Sequence, residues 1–325
     1  MMSSLAIFGW EIRMKKDEFY HEPVLLKECL EFLDLKGDGV YVDCTLGGGG
    51  HSFEILKRLG EKGRLFAFDR DPVAIAFASE RLRDFESLVT FYPFPFSEIG
   101  EKLRPESLDG ALYDLGMSSR QVDDPKRGFS FSADFSVDLR MNQSQGEDAQ
   151  EFLRRVKLED LALAFSKNSD LERSYKLAGA LLEKVEQLGE DLMPQDFKEV
   201  VVSVYPHKTR ELNGLLARVY QAIRMEINEE LKEIEKSLNS VVKCLKKNGR
   251  LLVISYHSVE DRCVKNTMSS YEKACICPVK QPVCLCGANH KTIQKVLRKP
   301  LLPSFDEIEK NPRARSAKLR VYQKL

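Results

Sequence analysis

The sequence predicts an α/β protein: a doubly wound, mostly parallel sheet with a helical subdomain inserted into it. Three observations carry this. Short apolar runs alternate with helical stretches from Gly39 to Asp114. The first apolar run ends in an acid and four consecutive glycines, Asp43-Cys-Thr-Leu-Gly47-Gly48-Gly49-Gly50. The alternation then stops after Asp114 and resumes only at Leu251.

The elements follow in order. Val40–Cys44 reads as a buried strand, and Phe53–Leu59 as the helix after the glycine turn. Glycine lets the backbone approach a ligand, and a helix N-terminus offers free N–H groups. Leu65–Asp69 is the second strand and Val73–Leu82 the next helix. Asp69 closes that strand about 20 residues past the glycines, where an acid can accept hydrogen bonds from ribose hydroxyls. Val89–Tyr92 and Ala111–Asp114 complete four strands, with right-handed crossovers expected between them. Ser118 to Asn142 is polar and aromatic without period, and Glu147 to Val204 is helical. Asn213–Lys247 keeps one apolar helical face and is expected to stop at Asn248-Gly249. Arg250–Ser255 is another buried strand, and Ala317–Tyr322 alternates like an edge strand. The expected domains are a discontinuous cofactor-binding unit, residues 14–117 and 211–325, and a helical insert, 118–210. Residues 1–13 carry no pattern and are expected to be a disordered extension, because Met14 is a plausible second start.

Composition sets outer bounds. Formal net charge over the 325 residues is zero, so no global field draws nucleic acid. The charge is uneven, however: residues 291–325 hold ten Lys or Arg against three acids, a local +7 that suits phosphate. No apolar run reaches the ~20 residues of a bilayer span, and no basic segment precedes the apolar start. No membrane association is expected. Eight cysteines include two close pairs, Cys275-x-Cys277 and Cys284-x-Cys286. Disulfides are not expected without a secretion signal. Two such pairs suit tetrahedral zinc. Cys-x-Cys is less typical of zinc than Cys-x-x-Cys, so a reduced loop is the preferred reading, and no catalytic metal is expected.

The glycines depart from the dinucleotide fingerprint, which disfavours an NAD-dependent oxidoreductase. Asp43-x-Thr45-x-Gly47-x-Gly49 instead resembles the acid-x-Gly-x-Gly-x-Gly pattern of methyltransferases, with Thr45 in the first glycine's place. Asp43 suits the cationic amino acid part of such a donor. Asp114, before Leu-Gly-Met-Ser118, lies at a strand's carboxyl end, where open α/β sheets bind ligands; a helix N-cap is its bland alternative. Arg127-Gly-Phe129-Ser-Phe131 interleaves arginine with aromatics, as phosphate contact with base stacking requires; a packed loop is the alternative. Asp114 and Asp138 are the carboxylates placed to accept an N–H from a weakly nucleophilic ring amine. His257 reads as a structural hydrogen-bonder.

Eight segments together resemble the MraW (RsmH) family of small-subunit ribosomal RNA cytidine N4-methyltransferases. They are His21–Leu26, Thr45–Ser52, Asp69–Pro72, Asp114–Ser119, Arg127–Phe131, Asp138–Met141, Tyr256–Arg262 and Asn311–Ser316. The resemblance implies a Rossmann-like class I methyltransferase sheet with an inserted helical substrate domain. It implies S-adenosyl-L-methionine as cofactor, held at Gly49, Gly50, His51, Asp69, Phe96, Asp114 and Gln121. It also implies a cytidine in the decoding centre of 16S ribosomal RNA, within the small ribosomal subunit, as substrate. A cytoplasmic enzyme is expected, and a homodimer is left open. The insert departs from the family pattern at Glu172-Arg173, around His207–Arg210 and at Asn142. A catalytically idle RNA-binding factor is disfavoured by the intact glycine loop.

Overall fold

The computed structural model describes residues 23–131, 134–189, 191–278, 281 and 283–325. The expected extension 1–13, with His21 and Glu22, lies outside them.

Seven strands form one sheet: β1 (Val40–Asp43), β2 (Arg64–Phe68), β3 (Val89–Tyr92), β4 (Leu108–Asp114), β5 (Leu245–Ser255), β6 (Ile293–Lys295) and β7 (Lys318–Lys324). Their order is β3-β2-β1-β4-β5-β7-β6. The first five are parallel neighbours, while β7 runs antiparallel to β5 and β6. Side chains alternate across each strand, so the sheet has two apolar faces. Val42, Phe68, Tyr113 and Val253 pack on one; Tyr41, Leu65, Leu112 and Ile254 pack on the other. Burial on both faces explains the near-continuous apolar runs. The chain winds from β1 toward β3, then returns to β4 and β5. The crevice outside the carboxyl ends of β1 and β4 is therefore the topological switch point.

Helices α1 (Leu26–Leu33), α2 (Gly50–Leu56), α3 (Pro72–Arg81), α4 (Ile99–Lys102) and α5 (Ser119–Asp123) accompany the first four strands. Helices α6 (Ala149–Arg155), α7 (Leu158–Ser169), α8 (Ser174–Leu188), α9 (Pro194–Val204) and α10 (Leu212–Ile227) build a separate core around Phe165, Leu177, Phe197, Leu216 and Val219. Phe129, Val137 and Leu139 of the preceding loop are buried in it. This core continues to Ile223, past the boundary expected at 210. The rest are α11 (Glu230–Cys244), α12 (Ser258–Glu272) and α13 (Phe305–Lys310).

Three sequence readings change. The single helix expected over Asn213–Lys247 is two, α10 and α11, broken where Glu229 takes φ 50°. Asn228 holds the break. Its Nδ2 donates to the carbonyls of Leu139 (2.9 Å) and Arg224 (2.8 Å), and its Oδ1 accepts the Met141 N–H (2.8 Å). A distant loop thus takes hydrogen bonds that periodicity cannot register. Asn248-Gly249 is not a helix stop: α11 ends at Cys244 and the chain passes straight into β5. Asn248, at φ 67°, instead makes an irregularity where the β4 register shifts between Leu108 and Gly110. A helix stop and a strand kink both favour residues that tolerate positive φ. Finally, β7 is not an edge: it lies between β5 and β6. The edge on that side is β6, three residues long and too short to show a pattern.

Candidate active site

The glycine loop is braced from behind. Asp43 ends β1 and is 1% exposed. Its carboxylate accepts the Thr45 N–H (3.1 Å) and the Ser52 hydroxyl (2.7 Å). Burial raises its pKa, opposed by His51 and Ser52. Asp43 thus shapes the turn and is not free to face a cationic ligand group, contrary to the sequence reading. Thr45 ties the loop to β4 by accepting the Asp114 N–H at 2.6 Å. Gly49, at φ 72°, caps α2; a Cβ there would lie 3.3 Å from that of Ala78 on α3. On Gly50 a Cβ would meet Pro23 at 2.5 Å. Both glycines therefore permit close packing on their protein side.

Asp69 sits one residue past β2. One of its oxygens accepts the Gly47 N–H (2.8 Å), the other the Asp71 N–H (2.9 Å). Burial pushes its pKa up to about 6 despite these bonds. A carboxylate oxygen has two lone pairs, so each retains capacity for a further donor.

Asp114 ends β4 with its side chain one quarter exposed. The Tyr256 hydroxyl donates to one oxygen at 2.7 Å, and the other lies 3.8 Å from His51 Nδ1, too far for a direct hydrogen bond. Burial pushes the Asp114 carboxyl up to about 7; the tyrosine bond opposes the rise and Glu260 adds to it. His51 Nε2 lies 3.1 Å from the Val24 carbonyl, an acceptor, and therefore carries its hydrogen. Burial lowers the His51 pKa, favouring the neutral ring. The N-cap alternative for Asp114 fails: α5 is capped by Ser118, whose hydroxyl accepts the Gln121 N–H.

Tyr256 is the residue that sequence reasoning missed. Gly116, at φ 99°, makes room for it: a Cβ there would come within 3.3 Å of the Tyr256 ring, a contact that no local sequence pattern reveals. Glu260, fully buried, accepts the N–H groups of Tyr256 (2.9 Å) and His257 (3.0 Å). Buried Arg224 lies 3.9 Å from Glu260 and grips Glu230 through two bonds of 2.6 and 2.9 Å. Burial and the Arg224 charge lower the His257 pKa to about 4. His257 caps α12, a structural placement.

Two predicted contacts stand further back. Gln121 is buried, accepting the Ser118 N–H (3.1 Å) and donating to Asp71 (3.3 Å). Phe96, half-buried beyond β3, meets Tyr113 edge-to-face at 5.7 Å. Asp138 is not brought to this group by any hydrogen bond or ion pair among the described residues. Arg140 donates to both its oxygens (2.8 and 2.9 Å), and Gln143 adds a bond at 3.0 Å. Burial alone would raise its pKa, but the Arg140 bonds outweigh that and hold the carboxyl low. An acid so occupied is poorly placed to take a proton.

The Arg127–Phe131 segment is packed, not presented. Arg127 is 6% exposed, pairs with Asp71 at 2.8 Å and donates to the carbonyls of Arg140 and Met141. Phe129 belongs to the helical core, and Phe131 packs on Tyr220. Part of the C-terminal basic tract is likewise neutralised: Lys295 pairs with Glu272, Arg313 with Asp123 and Arg320 with Asp261. No ion pair is seen for Lys291, Arg298, Lys299, Lys310, Arg315, Lys318 or Lys324 among the described residues. The cysteine pairs lie between α12 and β6, and their four sulfurs come within 4.8 Å of one another.

Among the described residues no helix is long and apolar enough to cross a membrane. The chain is 41% identical over 315 residues to the Ribosomal RNA small subunit methyltransferase H of Clostridium botulinum (strain Loch Maree / Type A3), covering 95% of this chain and 100% of that one. It is 40% identical over 317 residues, with the same coverage, to the protein of that name from Clostridioides difficile (strain 630). A solved rRNA methylase from Streptococcus thermophilus aligns with 92% of this chain and 93% of its own, at 12% identity and a TM-score of 0.38. The chain matches the MraW methylase family over residues 18–325. With that match spanning nearly its whole length, this chain belongs to the MraW methylase family.

Proposed function

We propose that this protein methylates N4 of a cytidine in the decoding centre of 16S ribosomal RNA, within the small ribosomal subunit and in the cytoplasm, using S-adenosyl-L-methionine. The observation that carries the chemistry is the Asp114 carboxyl: at the switch-point crevice, partly exposed, oriented by Tyr256 and poised at about 7. The names of the relatives support the substrate class.

The donor supplies an electrophilic methyl on a sulfonium sulfur. This chain's residues must hold the two reactants in line, which is a proximity effect. Asp69 would accept the ribose hydroxyls while keeping its bonds to Gly47 and Asp71. The glycine turn, whose Gly49 N–H is held by the Leu46 carbonyl at 2.8 Å, would let the donor approach closely, and Phe96 would pack on the adenine. His51 buttresses Asp114, and Gln121 fixes the α5 turn from behind. The cytosine amine is a weak nucleophile because its lone pair is delocalised into the ring. With the donor bound, Asp114 would accept one of its N–H groups and take up the proton that the amine sheds on methylation. The target base leaves any stack beforehand, since a paired amine cannot reach the donor.

Residues up to Asn228 that share the core of α6–α10 act as the substrate domain, and the sheet with its helices as the cofactor domain. Asp138 keeps the loop between them in shape. The test is tritiated methyl transfer to small subunits lacking the modification, followed by nucleoside analysis. N4-methylcytidine is expected; label at carbon, in protein or in DNA would overturn the reading.

A further inference from the structure

We infer that Cys275, Cys277, Cys284 and Cys286 form a structural zinc site. The four Sγ atoms lie within 4.8 Å of one another. Cys275 is 3.5 Å from Cys284 and 3.6 Å from Cys286, and Cys284 is 3.6 Å from Cys286. Tetrahedral zinc with Zn–S bonds of about 2.3 Å separates its sulfurs by about 3.8 Å. Iron–sulfide clusters hold their cysteine sulfurs much further apart, so this spacing fits one mononuclear ion. All four are free thiols.

The backbone supplies a second observation. The N–H of Ile276, between the first two cysteines, donates to Cys286 Sγ at 3.4 Å. The N–H of Leu285, between the second two, donates to Cys277 Sγ at 3.3 Å. Each Cys-x-Cys turn thus points its central N–H at the last sulfur of the other. This reciprocal arrangement offsets thiolate charge, as the hydrogen bonds around metal-bound sulfur do. His290 Nε2 lies 3.0 Å from the Cys286 carbonyl and is spent there, so the ligand set closes at four sulfurs. A closed set leaves no open position for substrate, which makes the site structural.

The loop needs such a support. Ile276, Val283 and Leu285 are 61%, 67% and 80% exposed, so the loop has little apolar core of its own. Among its described residues, backbone bonds from His290 to Ala274 and from Thr292 to Tyr271 close its base, and one from Gln281 to Pro278 turns its middle. Zinc entering the site displaces four thiol protons to solvent and pins both turns together. The short Cys-x-Cys spacing, which argues against zinc in the sequence, is offset by the pairing of two such turns face to face.

The test is metal analysis of the full chain, purified without a histidine tag or chelator from zinc-supplemented medium. About one zinc per chain is expected. In Cys277→Ser/Cys284→Ser the zinc content should fall at least tenfold, while Cys263→Ser keeps it. None of the four cysteines belongs to the three apolar cores, so circular dichroism of the double variant should match the parent. Cobalt added to the metal-free full chain should give the intense visible bands of a tetrahedral thiolate site. Chelation should also expose residues 274–290 to limited proteolysis. A folded full chain with four titratable thiols and no zinc, or one holding iron instead, overturns the inference.

Discussion

Asp114 and Asp138 present the same carboxyl group in two surroundings. Asp114 ends a strand beside one hydroxyl and a buried imidazole, with no cation in contact; burial lifts it to about 7. Asp138 sits in a loop under a two-bonded Arg140, which holds it below the usual carboxylate range. Desolvation acts on both, and the arginine decides the sign. A carboxylate that must exchange protons near neutrality cannot also be the fixed partner of a guanidinium. The same division separates Asp69, which bonds only backbone N–H groups, from Asp71, which is locked to Arg127. Buried charge around the crevice is of two kinds, one available to ligands and one consumed by the frame.

The sharpest way to break this division is Arg127→Ala. Removing it strands the Asp71 charge in the interior, which should cost about 3–5 kcal/mol of stability, read as a lower urea midpoint. An unchanged midpoint with weakened RNA binding would return Arg127 to the substrate surface. Next, Asp69→Ala should weaken S-adenosyl-L-methionine binding by about 2–3 kcal/mol in calorimetry, whereas Asp138→Ala should leave that affinity within about twofold. Equal losses in the two variants would erase the distinction. Asp114→Asn should slow single-turnover methylation at saturating donor at least tenfold, about 1.4 kcal/mol in the barrier. The ionised form of Asp114 is the reactive one. The parent's rate should therefore climb with pH below about 7 and level off above it, while the variant stays flat. A parent profile already flat through pH 6 contradicts the assignment. The smallest effect belongs to Tyr256→Phe, about 0.5–1.5 kcal/mol for one lost hydrogen bond. Because that bond lowers the Asp114 pKa, the inflection should move to higher pH; a shift to lower pH would be inconsistent with the geometry.

How much of this was legible follows from how far apart the partners are. The glycine turn, the strand ends at Asp69 and Asp114 and the helical insert were readable, since each is set by residues within one or two turns of chain. Local pattern could not reveal that Arg127 meets Asp71, 56 positions away, and so spends its charge inside the fold. Nor could it place Tyr256 on Asp114 across 142 positions. The helix break at Asn228 answers to Leu139 and Met141, 89 and 87 positions earlier. Asp138 and Asp114 were indistinguishable as letters; only the neighbouring arginine separates them. The cysteine pairs, each untypical alone, gain meaning only when the loop folds them together.

The position of β7 bears on how the chain reaches this state. It fills the gap between β5 and β6, yet follows both in order of synthesis. Until Lys318–Lys324 arrives, β5 offers an unpaired, strongly apolar margin, Leu251 to Ile254, and β6 has no neighbour to join. The nascent sheet is therefore left with an adhesive border while α12, β6 and α13 are being made. Losing β7 by truncation would uncover that border permanently and favour self-association through β5, making the last strand the protein's own guard against misassembly.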